Sequence, residues 1–231
     1  VRASGRTIPQ RQDKKMRTTH STFRLAGHAV HQITFDPATF NDADLLWLPH
    51  HNTLAHAAPK RKTEHLAGRI AAAHALTALN ERAVPGIGPS GEPLWPENIA
   101  GSITHSGTQA MAVAVRHPHA PIGIDLEAIL PESEAREIKE GVIDAQEEMR
   151  LLQSGYPFAL ALTLAFSAKE ALFKALFPRV NAFMAFDSAR ITALDETRLT
   201  LTLTRPCASF LAETPFTLAW LRDADRVITL L

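Results

Sequence analysis

Three carboxylates define the chemistry open to this chain. Asp125 and Glu127 stand two apart in Gly123-Ile124-Asp125-Leu126-Glu127, and Glu170 stands four residues before Lys174 in a later segment. On a strand, alternate residues share a face, so Asp125 and Glu127 point the same way, opposite Ile122, Ile124 and Leu126. Oxygen-only ligands of this kind suit Mg²⁺, which keeps several waters and takes a few carboxylates beside substrate phosphates. The competing reading is a solvated strand face plus a helix ion pair between Glu170 and Lys174. The surroundings of Glu170 weigh against it. Segment 156–177 is apolar on nearly every side, with Phe158, Leu160, Leu162, Leu164, Phe166, Leu172, Phe173 and Leu176, yet it carries Lys169, Glu170 and Lys174. Buried charges without partners are costly, so this helix is expected to border a polar cleft with a charged ligand.

Basic residues form a second group. Arg61 and Arg69 lie eight apart in a segment with helical apolar spacing over Lys60–Arg82. Eight residues is slightly over two turns, so both guanidinium groups can face one side, and their forks match phosphate oxygens. Lys60 and Lys62 read as a solvated helix start. His105 ends an apolar strand in Gly101-Ser102-Ile103-Thr104-His105, where an imidazole can bind phosphate or act as a base; alone, a structural histidine is the commoner reading. The other ten histidines lack zinc-finger spacing and cysteine partners. No P-loop, dinucleotide fingerprint or nucleophile elbow is present, so nucleophilic Ser or Cys catalysis is unsupported.

These groups must be positioned by 231 residues with 24 basic and 24 acidic side chains. Zero net charge gives no bulk attraction to nucleic acid or membrane, so an anionic ligand must be held by a local cluster. The single Cys207 excludes an internal disulfide and suits a reducing compartment. No apolar run is long enough to span a bilayer. Residues 1–15 read as a disordered leader or mis-called start, with Met16 the natural beginning. One or two strands are expected over 22–35, a helical turn over 42–48, a helix over 60–82 and a loop over 84–96. Strands follow over 99–104, 111–116 and 121–127, then two short helices over 131–153 broken at Gly141. After the apolar helix come period-two strands over 185–192, 198–204, 216–222 and 227–231. Without regular βαβ alternation the class is α+β. Two halves, 16–118 and 119–231, each a long helix on a small antiparallel sheet, would leave a cleft between them.

In this order and spacing the stretches resemble the paired signatures of the 4′-phosphopantetheinyl transferase superfamily, and within it the enterobactin synthase component D branch. The resemblance rests on Gly123–Glu127, Phe166–Glu170 and Lys174, and extends to Leu45–His50, Lys60–Ala72, Pro93–His105 and Ala161–Glu170. It implies a monomeric pseudo-dimer of two similar α+β halves, with coenzyme A and Mg²⁺ between them. It implies that Asp125, Glu127 and Glu170 hold the metal and that Glu170 is the base. Lys169 and Lys174 would contact phosphates, Lys174 stabilising the leaving diphosphate. Thr104 and His105 would bind phosphate, and Arg61 and Arg69 the 3′-phosphoadenosine end. Gly91 departs from the pattern, standing where related sequences often carry Arg or Lys. The implied reaction moves phosphopantetheine onto a serine of an apo acyl, aryl or peptidyl carrier protein, releasing 3′,5′-ADP and activating a siderophore synthetase. It also implies a cytoplasmic protein, free or resting on a synthase complex or the inner membrane.

Two other readings stay open on the residues themselves. A Mg²⁺-dependent nucleotide phosphodiesterase would use the same carboxylates with water as nucleophile. A silent coenzyme A- or carrier-binding module would need no catalysis.

Overall fold

A computed structural model describes residues 15–231. The expectation for residues 1–15 therefore falls, apart from Lys15, outside the described residues. The chain opens with a hairpin, β1 (Thr18–Leu25) and β2 (His28–Phe35), whose turn takes positive φ at Ala26 and Gly27. Both central residues of such a turn need the left-handed region, which matches the twist of the flanking strands. After 3₁₀ turns at Pro37–Thr39, Asp42–Trp47 and His51–Leu54 comes helix α1 (Pro59–Thr77). Pro59 occupies its first turn, where a missing N–H costs nothing. The helix stops short of the expected Arg82, turning instead through Asn80 at φ 61.

The expected loop over 84–96 holds a two-residue-per-strand hairpin, β3 (Gly86–Ile87) and β4 (Pro93–Leu94). Strands β5 (Ala100–Ser106) and β6 (Gln109–Val115) then turn about Gly107 and complete an antiparallel sheet in the order β1-β2-β6-β5. Helix α1 lies on this sheet over a core that includes Leu66, Ala67, Ala71, Ile33, Ala110 and Ala112.

The second half begins with β7 (Ile124–Ala128), followed by α2 (Glu132–Val142) and α3 (Ala145–Leu152). The break between these helices falls at Ile143–Asp144, not at Gly141. Asp144 caps α3 by accepting from the Glu147 N–H at 2.8 Å while Glu147 reaches back to the Asp144 N–H, a capping box that fixes the new start. Helix α4 (Phe158–Val180) runs through Pro178 in its last turn and closes at Asn181, at φ 52. Its N–H reaches the Phe177 carbonyl at 2.7 Å. Strands β8 (Ala189–Leu194), β9 (Arg198–Leu203), β10 (Pro215–Asp223) and β11 (Arg226–Leu230) give a second antiparallel sheet ordered β7-β11-β10-β9-β8. α4 packs on it, burying Leu160, Leu162, Leu164, Leu172 and Leu176.

The two sheets meet at their edge strands. The Ser102 and Thr104 hydroxyls of β5 accept the N–H groups of Ile124 (3.0 Å) and Leu126 (3.1 Å) on β7, all buried. These bonds satisfy donors that no neighbouring strand reaches. Between the sheets lies an apolar layer of Val30, Met111, Val113, Ile122, Ile124, Leu126, Ile228 and Leu230. The class is α+β. Among the described residues no helix is long and apolar enough to cross a membrane.

Candidate active site

One residue sets how closely the carboxylates can approach. Gly123 precedes β7, and a Cβ there would come within 1.9 Å of the Ala171 carbonyl oxygen in the middle of α4. Only glycine lets strand and helix backbones lie so near. As a result α4 presents Lys174 to β7: its Nζ donates to the Ile124 carbonyl at 3.0 Å and to Asp125 Oδ1 at 3.0 Å.

Asp125, Glu127, Glu170 and Lys174 then form one electrostatic cluster. Asp125 is buried, and its second oxygen, Oδ2, has no hydrogen-bond partner among the described residues. The Glu127 carboxyl is pushed up to about 8, chiefly by burial and then by the neighbouring Asp125 carboxylate, with Lys174 opposing. Burial followed by the Asp125 charge also raises Glu170. Such crowding of acids is unfavourable in the bare protein and is relieved by a divalent cation. Among the described residues no three His, Cys, Asp or Glu side chains form a ready-made metal cage. Asp125, Glu127 and Glu170 are therefore near one another without being gathered into a three-ligand set.

Beside this cluster opens a cavity of about 1010 Å³ between the halves. Glu170 and Lys174 line it from α4, Arg61 and Arg69 from α1, and His105 from β5. Asp125 and Glu127 are not in its wall; Asp125 reaches it through Lys174. Trp95 also lines it, its ring lying so close to Gly101 that a Cβ there would come within 2.5 Å. Gly91 also lines it and brings no side-chain charge, beside the acidic Glu92.

Several residues sit differently from their sequence expectation. Lys169 does not reach the cavity. Fully buried, its Nζ donates to the Val142 carbonyl (2.7 Å) and the Phe186 carbonyl (3.0 Å) and lies 2.9 Å from Glu147 Oε2. Neighbouring helix positions face about 100° apart, so Lys169 turns toward α3 while Glu170 turns to the cleft. A phosphate contact by Lys169 is thereby corrected to a structural ion pair. The Thr104 hydroxyl is buried against β7, where it bridges the two sheets, and Thr104 is not among the residues lining the cavity. Arg69 is buried in the wall, and burial pulls it down to about 10. Two of its nitrogens are already committed, at 2.9 Å each, to the Pro85 and Gly86 carbonyls. Lys60 is exposed as expected, but Lys62 is buried and pairs with Asp42 at 3.1 Å.

Sequence reasoning missed Glu64, Ser102 and Trp95. Ser102 was within reach, being two residues before Thr104 on the same strand face. Glu64 was not, because its partner His105 lies on another element and no local spacing links them.

Comparison with known proteins agrees with this arrangement. Residues 49–115 match the 4′-phosphopantetheinyl transferase N-terminal domain, and residues 121–230 match the 4′-phosphopantetheinyl transferase superfamily. Enterobactin synthase component D of Salmonella typhi is 46% identical over 215 residues, covering 93% of this chain and 90% of the relative. Its counterpart from Escherichia coli K12 is 53% identical over 160 residues, covering 69% and 76%. The 4′-phosphopantetheinyl transferase Npt of Nocardia iowensis is 35% identical over 178 residues, covering 69% and 75%. With both halves matched and the acidic cluster bordering a cavity between them, the chain belongs to the 4′-phosphopantetheinyl transferase superfamily.

Proposed function

We propose that this protein transfers 4′-phosphopantetheine from coenzyme A to a serine of an apo carrier protein or carrier domain, and that the carrier serves an enterobactin-type siderophore synthetase. The carrier assignment rests on the relatives named enterobactin synthase component D. The carrying observation is that one large cavity between the halves gathers Glu170, Lys174, Arg61, Arg69 and His105, with the buried Asp125 behind Lys174.

In this reading residues 16–118 and 119–231 act as the two related halves of a monomeric pseudo-dimer. Arg61 and Arg69 hold the 3′-phosphoadenosine end, and His105 and Lys174 hold pyrophosphate oxygens. Asp125, Glu127 and Glu170 hold Mg²⁺, which when bound offsets charge developing on the pyrophosphate. The carrier serine oxygen forms a bond to the β-phosphorus as the bond from that phosphorus to the 3′,5′-ADP oxygen breaks. Glu170 takes the serine proton. Lys174 lies where it can offset the negative charge that leaves with 3′,5′-ADP. The nucleophile belongs to the partner, in keeping with a chain that has no nucleophile motif of its own.

The test is release of 3′,5′-ADP from coenzyme A with and without apo-carrier. Transfer predicts release only with the carrier, and release without it would favour the phosphodiesterase. Binding of coenzyme A with no release in either arm would favour the silent module.

A further inference from the structure

One histidine of the cavity wall, His65, stands between the two arginines. Arg61, His65 and Arg69 are spaced four residues apart on α1, so they form one stripe, and all three line the cavity. Arg69 cannot offer an anion its full fork, because Nε and Nη2 already donate to the Pro85 and Gly86 carbonyls. The His65 ring is held by His50, at the head of the 3₁₀ turn His51–Leu54, with the two Nε2 atoms 2.8 Å apart. Their ring centroids are 5.1 Å apart, as expected for imidazoles meeting end-on through these nitrogens. His65 Nδ1, on the other side of its ring, has no hydrogen-bond partner among the described residues. His50 Nδ1 has none either and is sealed from water.

A single proton joins the two Nε2 atoms, and one ring owns it. If His65 owned it, neutral His50 would carry its proton on Nδ1, a buried N–H without an acceptor. If His50 owns it, His50 Nδ1 is a bare lone pair in the field of the Arg69 cation, and His65 bears its proton on Nδ1. We propose that His50 fixes this tautomer of His65, and that His65 donates Nδ1–H to the phosphate shared with Arg61 and Arg69, the 3′-phosphate of the ligand. This deepens the transferase reading above and rests on it. The donor is a neutral ring and needs no added proton. Burial first, then Arg69, His50, Arg61 and His105, pull His65 down to about 3, so the donor persists across the working pH range. It also makes good the nitrogens that Arg69 spends on the Pro85–Gly86 loop.

Proton–nitrogen correlation NMR of the protein saturated with coenzyme A reads the tautomer, and the His65→Asn spectrum assigns the signals. His65 is expected to carry its proton on Nδ1 alone; a proton on Nε2, or on both nitrogens, overturns the proposal. In His50→Leu the proton should divide between the two nitrogens, and an unchanged tautomer there refutes the role of His50. Calorimetry then compares coenzyme A with 3′-dephospho-coenzyme A on wild type, His65→Asn and His65→Gln, once unfolding midpoints show that each variant folds. The Asn amide nitrogen falls near the place of Nδ1 and the Gln amide nitrogen near that of Nε2. His65→Gln should bind coenzyme A about tenfold more weakly, the worth of a hydrogen bond to a charged group, at neutral and mildly alkaline pH alike. His65→Asn should stay near wild type, and 3′-dephospho-coenzyme A should bind all three proteins alike. Equal losses for both ligands, or no difference between the two variants, overturn the proposal. Should His65→Gln fail to fold, the tautomer in the wild-type complex decides. If these results hold while no carrier is ever modified, the His50–His65 pair stands and the transferase reading fails.

Discussion

Replacing Lys169 by Met separates a structural lysine from a ligand-binding one. The Lys169 ammonium is sealed from water, 2.9 Å from Glu147, and holds two carbonyls from different segments, Val142 and Phe186. Glu147 in turn accepts the Asp144 and Ile191 N–H groups, so one ion pair ties α4 to α2, α3 and β8. Removing the cation leaves a buried carboxylate uncompensated, which costs about 3–5 kcal/mol. Against a typical stability of about 5–15 kcal/mol, that is a large fraction. At roughly 2–4 °C per kcal/mol for a chain of this size, Tm should fall by roughly 6–20 °C. Adding Glu147→Gln to Lys169→Met should cost less than the two single losses summed, because no unpaired charge then remains buried. Thermal and urea unfolding measure the stability, and steady-state kinetics on the folded fraction measure the ligand. An unchanged Tm with a tenfold rise in KM for coenzyme A would refute the structural assignment and restore Lys169 as a phosphate contact.

Gly123→Ala should destabilise by about 1–3 kcal/mol or more, since strand and helix must separate to admit the methyl group. Denaturant midpoints check this, and a wild-type midpoint would mean the two backbones are not so close. In the metal-free protein, the raised Glu127 carboxyl binds more protons folded than unfolded between its ordinary range and about 8, so its share of stability declines as pH rises through that window. Mg²⁺ binds the deprotonated form, so the Tm gain from Mg²⁺ over EDTA should be larger at the alkaline end of that window than at the acid end. A gain independent of pH would contradict this. Arg69→Ala should release the loop carrying Pro85 and Gly86 and mainly raise KM for coenzyme A, whereas a loss confined to kcat would argue against a binding role.

Much of this site was legible in the sequence because its carriers are local. Asp125 and Glu127 declare themselves by strand alternation, and Glu170 and Lys174 by one helical turn inside an apolar helix. Arg61 and Arg69 reach the same cavity because eight residues nearly close two turns. What was not legible depends on contacts between distant segments. Lys169 sits one residue from Glu170, but which helix face met α3 could not be read from its spacing. Thr104 carries a hydroxyl suited to phosphate or to a strand edge, and the packing of β5 against the edge of β7 selected the second. Element ends shifted where a cap decided them: Asp144 moved the α2–α3 break past Gly141, and Asn181 closes α4 beyond Pro178.

Intact-mass spectrometry of an apo peptidyl carrier domain, incubated with coenzyme A, Mg²⁺ and this protein, tests the central claim most directly. Wild type is predicted to add one phosphopantetheine to the carrier. Glu170→Gln should still bind coenzyme A while transferring about 10²–10⁴-fold more slowly, the share a general base supplies. Undiminished transfer by Glu170→Gln, or no adduct from wild type on any acyl, aryl or peptidyl carrier, would contradict it.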